Sequence, residues 1–330
     1  MRFVAVCLLA LSVFTQASAE ERQAHNAYDV YLRPQTLVRL PDGRHFNMYC
    51  TGKGSPTAIL DASASRWNIA WRHIQPDFAK LTRVCAVDRA GFGFSDPGPL
   101  PRDIAAEEAD LHAALAAAGI KPPYLLVGHS YGGKLVRLFA YRHPEEVAGM
   151  LLIDPGIEHM PASPEEVARN RAHTRKCAEL ARAGKAVPGE VPPGEEEPCE
   201  LLPGADWSKA MYAFLISRAA KPDYFEANIA EEETGELSAA EIDKARRKLG
   251  DLPLIVLSQD EEHFTEDMSH EQYVTWVTAH EDMARDSTRG LHEMVPGAGH
   301  FIFNDRPDVV LAKFRQILRE SSARQPASPG

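Results

Sequence analysis

The chain has 330 residues, 44% of them apolar, which is ample for a sizeable core in one large α/β domain with an insertion or in two domains. Its formal net charge of -11 argues against nucleic acid or an anionic membrane surface as a partner. Small substrates stay open, because the local potential at a site can differ from the total.

The first 19 residues read as a targeting segment: Met1-Arg2 gives a minimal positive region, Phe3 to Phe14 is mostly apolar, and Ala17-Ser18-Ala19 offers a small-residue cleavage site. That run is too short to span a bilayer, and no later stretch is long enough, so the expectation is an exported protein, periplasmic or secreted, with no membrane span. Cys7 leaves with the leader. Of the remaining four cysteines, Cys177 and Cys199 flank a Pro/Gly/Glu-rich loop, and a bridge there would restrain about 22 residues, worth on the order of 3 kcal/mol. Cys50 ends one predicted strand and Cys85 sits early in another, so their pairing follows by elimination and plausible adjacency. No Cys-x-x-Cys spacing exists, so no structural zinc site is expected.

Thr36–Leu40 and His45–Cys50 read as strands joined by the turn Pro41-Asp42-Gly43. Thr57–Leu60 and Val84–Val87 are short apolar strands, with a helical stretch from Trp67 to Leu81 between them. Asp103 to Ala118 is a helix with a carboxylate at its start and Gly119 past its end. Leu125–Val127, Gly149–Ile153, Leu254–Leu257 and Leu291–Val295 complete the strands, and Glu271–Ala284 and Pro307–Glu320 are helices. Strands alternating with helices imply a mostly parallel sheet covered on both faces, with the N-terminal hairpin as an antiparallel edge. Residues 31–156 and 251–320 form this core, and 321–330 reads as a disordered Ser/Pro/Ala-rich tail.

Residues 157–250 break the alternation. Ser163-Pro164 opens one helix there and the capping box Ser238-x-x-Glu241 another. Trp207, Met211, Phe214 and Leu215 share a helical face that packs onto the domain below. A helical cap so inserted is placed to roof a pocket, and some of these residues should touch substrate. Glu231-Glu-Glu233 reads as a solvated helix end.

The chemistry concentrates at Gly128-His-Ser-Tyr-Gly132, which follows a strand and precedes a helical run from Lys134 to His143. This is the context of a nucleophile elbow. The turn is tight enough to strain Ser130, and glycine at 128 and 132 removes side-chain clashes. A serine hydroxyl needs a base as it attacks. His300, in a glycine-containing loop after the last strand, can swing back over the strand ends; His129, adjacent to the serine, points elsewhere.

With these residues in place, the chain resembles the α/β-hydrolase superfamily. It is especially similar to bacterial exported serine esterase-like members carrying Tyr49-Cys50-Thr51-Gly52 and the Asp88-Arg-Ala-Gly-Phe-Gly-Phe-Ser-Asp-Pro-Gly98 stretch, over about residues 31–318. The resemblance implies an α/β-hydrolase fold with a helical cap and a Ser–acid–His triad in that chain order. Ser130 and His300 match directly. The acid is Asp154, at the end of Met150-Leu-Leu-Ile-Asp154, or Asp260, after the strand that follows the cap; Glu262 is an outside candidate. The oxyanion hole implied is the Tyr131 amide with that of Ser63, Ala64 being the lesser choice, because Asp61-Ala62-Ser63 replaces the usual His-Gly. Asp88-Arg89 and Gly91/Gly93 shape the neighbouring loop. No metal cluster or nucleotide fingerprint appears, so no cofactor is expected. The expected reaction is hydrolysis of a small-molecule carboxylic ester. An aminopeptidase or amidase, an acyltransferase, and a non-catalytic binder on the same fold are the alternatives.

Overall fold

The computed structural model describes residues 28–161, 163–185, 191–194, 199, 208–219, 221–264 and 268–324. The leader with Cys7, Trp207 and residues 325–330 lie outside them. Eight strands form one sheet: β1 Thr36–Arg39, β2 His45–Thr51, β3 Thr57–Asp61, β4 Val84–Val87, β5 Tyr124–His129, β6 Val147–Ile153, β7 Leu254–Ser258 and β8 Gly290–Met294, in the order β1-β2-β4-β3-β5-β6-β7-β8. β1–β2 and β2–β4 pair antiparallel, and every later pairing is parallel.

Strands β3 to β7 are buried throughout, so they read as largely apolar runs rather than alternations, whereas the edge strand β8 is partly exposed. Side chains still divide by parity. Leu126, Leu152 and Val256 face one core with Leu111 and Leu115 of α1 (Ile104–Ala117) and Leu135 and Phe139 of α2 (Tyr131–Arg142). Leu125, Val127, Leu151 and Leu257 face the other, where Phe78 stacks on Phe314 at 3.8 Å between ring centroids.

From Trp67 to Leu81 the expected helix is broken. A 3-10 turn at Asn68–Trp71 and one short helix at Gln75–Phe78 occupy it, with Pro76 admitted at the first turn. The final helix runs past its expected end to Arg324, and Ser321 is fully buried against Gly149, so residues 321–324 are not tail.

The cap comprises α3 Pro164–Arg182, α4 Lys209–Ala219, α5 Pro222–Glu233 and α6 Gly235–Ala245. Ser238 and Glu241 do not cap α6, which starts earlier, at Gly235. Their side chains accept instead from the amides of Ile104 (3.1 Å) and Ala105 (3.2 Å) at the start of α1, while Asp103 takes the Ala106 amide. Three of the four orphan amides of α1 are thereby satisfied, two of them from the cap. Core helix α7 is His270–Ala284, with Ser269 and Gln272 forming a capping box, and α8 is Pro307–Arg324. Disulfides join Cys50 to Cys85 and Cys177 to Cys199. Cys50 and Cys85 are direct register partners across β2 and β4. No helix among the described residues is long and apolar enough to cross a membrane.

Candidate active site

Sheet order decides where a site can form. The chain leaves β3 for β4 on one side and returns past it to β5 on the other, so the carboxyl ends of β3 and β5 open a crevice at a topological switch point. Ser63 follows β3 and Ser130 follows β5. Both line a cavity of about 590 Å³, with Tyr131 and His300 beside them and the cap above.

Ser130 is the N-cap of α2 and adopts φ 51° and ψ −119°, a strained combination for a non-glycine residue. Its carbonyl accepts from the amides of Gly133 and Gly156, both at 2.8 Å, which holds the bend from two sides. A Cβ at Gly128 would strike the backbone of Gly132, and one at Gly132 the backbone of Asp61 and Ala62. The Tyr131 amide sits at the first helical position, where the helix dipole favours negative charge.

His300 donates from Nδ1 to Asp154 Oδ2 at 2.6 Å, leaving Nε2 for another partner. Asp154 directly follows β6, is fully buried, and also accepts from Trp276 Nε1 and the Gln259 amide, both at 3.0 Å. Burial alone would raise this carboxyl, but the hydrogen bond and charge of His300, helped by His280 and the Gln259 amide, outweigh it and hold it below its ordinary value. Asp260 lies elsewhere: it is partly exposed and takes the Gly297 amide at 2.8 Å and the Glu262 amide at 2.8 Å. It fastens the loop that carries His300 rather than the imidazole itself.

His129 does point away from the serine, yet it reaches the site by another route. Its Nε2 donates to the His300 carbonyl at 2.8 Å. Burial, reinforced by the neighbouring His300, pushes it down to about 3, so it is a neutral tether for the loop. A second buried imidazole, His280, donates from Nε2 to the Pro155 carbonyl (2.7 Å), and Ser258 Oγ lies 2.6 Å from its Nδ1 and 2.7 Å from His292 Nε2. It braces the turn just after Asp154.

The cap residues that line the cavity are His173, Thr174 and Cys177 of α3, Cys199, and Tyr224, Phe225, Asn228, Glu231 and Glu232 of α5. Met211, Phe214 and Leu215 instead pack with Trp67, Phe92 and Tyr224, so the apolar face of α4 serves adhesion to the core and not the cavity. Glu231 is no solvated helix end: it is buried against Arg89, with Arg89 Nη2 to Glu231 Oε1 at 2.8 Å. Only Glu233 of that run is exposed, paired with Arg175. A helical wheel carries the missed signal, since Glu231 falls on the face of Tyr224 and Ala227 at i, i+3 and i+7.

Among the described residues, His112, His143 and Glu146 bring ligand atoms within 4.8 Å of one another. The two imidazoles stack at 4.1 Å with planes 13° apart, so their lone pairs run side by side instead of converging on one ion. His143 is also the C-cap of α2, the end opposite Ser130.

Residues 58–307 match the family described as alpha/beta hydrolase fold, and the chain belongs to it. Hydrolysis is the general chemistry of that family. The uncharacterized protein YqjL of Bacillus subtilis (strain 168) is 25% identical over 264 residues, covering 78% of this chain and 82% of its own. A thermophilic esterase from Thermogutta terrifontis superposes with a TM-score of 0.62 at 19% identity, covering 88% of this chain and 99% of that one. The haloalkane dehalogenase DatA from Agrobacterium tumefaciens C58 superposes with a TM-score of 0.63 at 16% identity, covering 88% and 99%. An esterase and a dehalogenase are thus equally good backbone matches. The fold does not choose between their chemistries.

Proposed function

We propose that this protein is a serine hydrolase of small carboxylic esters, with Ser130 as nucleophile, His300 as base and Asp154 as the acid that orients it. The observation that carries the reading is the 2.6 Å bond from His300 Nδ1 to Asp154, in a cavity that Ser130 also lines. An imidazole held by Nδ1 presents Nε2 to a hydroxyl, takes its proton during attack, and returns it to the leaving alcohol. Water activated by the same nitrogen then releases the acid from the acyl-enzyme. The Tyr131 and Ser63 amides form the oxyanion hole, each donor contributing about 3 kcal/mol to the transition state. Serine at the elbow also argues against dehalogenase and epoxide-hydrolase chemistry, which on this fold begins from an aspartate.

The aminopeptidase reading needs free carboxylates to hold an amine. Glu231 is committed to Arg89 and to the Ser65 amide, which weakens that reading. Export fits the two disulfides, since such bonds persist in oxidising compartments.

A fluorophosphonate probe should label Ser130, chromogenic esters should be turned over faster than amino-acid anilides, and Ser130→Ala should lose both labelling and at least about 10⁴-fold of kcat. Absence of labelling in folded protein would favour a binder. Higher efficiency on the anilides would favour a peptidase.

A further inference from the structure

Arg89 lies beneath the cavity floor with 3% of its surface exposed, yet its guanidinium is filled on every side. Nη1 donates to Asp61 Oδ1 at 2.5 Å and to the Ala62 carbonyl at 2.9 Å. Nη2 donates to the Ser63 carbonyl at 2.9 Å and to Glu231 Oε1 at 2.8 Å, and Nε donates to the same oxygen at 3.0 Å. Two successive carbonyls of the loop after β3 are therefore turned toward one rigid cation. The Ala62 carbonyl is further held by the Gly132 amide at 3.0 Å.

In a trans peptide the N–H and the C=O point in opposite directions. The Ala62–Ser63 bond is not among the cis peptides of the chain. With the Ala62 oxygen fixed toward Arg89 and the Gly132 amide, the Ser63 N–H faces the opposite way, and Ser63 lines the cavity with Ser130. The loop has no glycine to relax it, so its orientation has to come from outside. The second oxyanion donor is braced by the same group: the Arg89 guanidinium lies 4.9 Å from the centroid of the Tyr131 ring, whose hydroxyl donates to Glu107 Oε2 at 2.8 Å.

Three carboxylates, Asp61, Glu107 and Glu231, surround this one guanidinium. Burial pushes the Glu107 and Glu231 carboxyls up, helped by the charge of Glu231 on the first and of Asp61 on the second, while Arg89 opposes the rise in both. Glu231 belongs to α5 of the cap, whereas Asp61 and Arg89 belong to the core. The clamp is complete only when the cap is seated.

We propose that Arg89 is a positioning residue for the oxyanion hole. Its guanidinium sets the Ala62–Ser63 peptide so that the Ser63 amide faces the reacting oxygen, and Glu231 ties that setting to closure of the cap. The catalytic half of this inference rests on the esterase reading above; the structural half does not.

Arg89→Lys keeps the charge among the three carboxylates but gives up the planar fork. Counted per site titrated with fluorophosphonate, its kcat should fall about 10²–10³-fold with KM changed less than about threefold. Affinity for a boronic acid that forms a tetrahedral adduct should fall in step. Glu231→Gln, which removes a buried charge while keeping an acceptor, guards against a lysine variant that does not fold. It should lower kcat per site about tenfold, again at nearly constant KM. If both variants keep kcat per titrated site within about threefold, or lose only KM, Arg89 is merely structural and the inference fails. A crystal structure of Arg89→Lys in which the Ala62 and Ser63 carbonyls keep their directions overturns it independently of any assay. Wild-type protein that neither labels nor cleaves esters sinks the esterase reading instead, and the crystallographic test still decides the role of Arg89.

Discussion

Asp154 and Asp260 follow adjacent strands of the sheet, β6 and β7, and their surroundings differ. Asp154 has three donors converging on a buried carboxylate, one of them the imidazole; Asp260, near the surface, accepts the loop amide of Gly297 and the amide of Glu262 in the short helix Glu261–Phe264. Under the proposed mechanism Asp154→Asn should lower kcat on the order of 10⁴-fold, because the amide disturbs the imidazole tautomer and cannot stabilise its charged form. Asp260→Asn should cost less than about tenfold, since loosening a loop displaces His300 without altering its chemistry. Steady-state kinetics on one chromogenic ester compares the two directly, and equal losses would leave the acid unassigned. The sequence could not choose between them because strand ends at β6 and β7 are both open to the same loop. The choice depends on Trp276 and on the path of residues 295–300, neither visible as a local pattern.

At the scale of elements, the cap is attached by polar as well as apolar means. Ser238 and Glu241 have the spacing of a local capping box, but they cap α1, more than 130 residues earlier in the chain. A sequence motif reports a donor-seeking oxygen, not which helix end will reach it. Ser238→Ala should therefore destabilise the protein by about 1 kcal/mol, the ordinary cost of a lost cap. The loss should appear as faster amide exchange at Ile104 and Ala105, with α6 unchanged; faster exchange confined to α6 would contradict the assignment. The cap disulfide acts at the same level. Cys177–Cys199 spans 22 residues and contributes on the order of 3 kcal/mol by restricting the unfolded chain. Replacing both cysteines by serine should increase proteolysis within residues 177–199 and raise KM, because Cys177 and Cys199 both line the cavity.

For the molecule as a whole, two buried imidazoles link stability to acidity. Burial pushes His129 down to about 3 and His280 down to about 4, below the usual histidine value that the unfolded chain restores. The unfolded state therefore binds more protons as pH falls below about 6.5, and each site should remove about 2 kcal/mol between pH 7 and pH 5. Urea midpoints at the two pH values measure the fall, and His280→Gln should shrink it by about 2 kcal/mol; an unchanged fall would mean that the imidazole is charged in the native state. Most of the sheet was legible, since buried parallel strands leave short apolar runs and the elbow leaves Gly128 and Gly132. The Arg89 cluster was not, because a buried charge is indistinguishable in sequence from a solvated one until its partners arrive from distant segments. The long-range capping of α1 has one more consequence. As the polypeptide emerges during synthesis, the first half of the sheet can gather, but the amino end of α1 stays frayed until residue 241 has appeared. Final consolidation of the amino-terminal half must wait until nearly three-quarters of the chain has been made, so fragments ending before residue 241 should stay loosely ordered at the start of α1 however complete their strands.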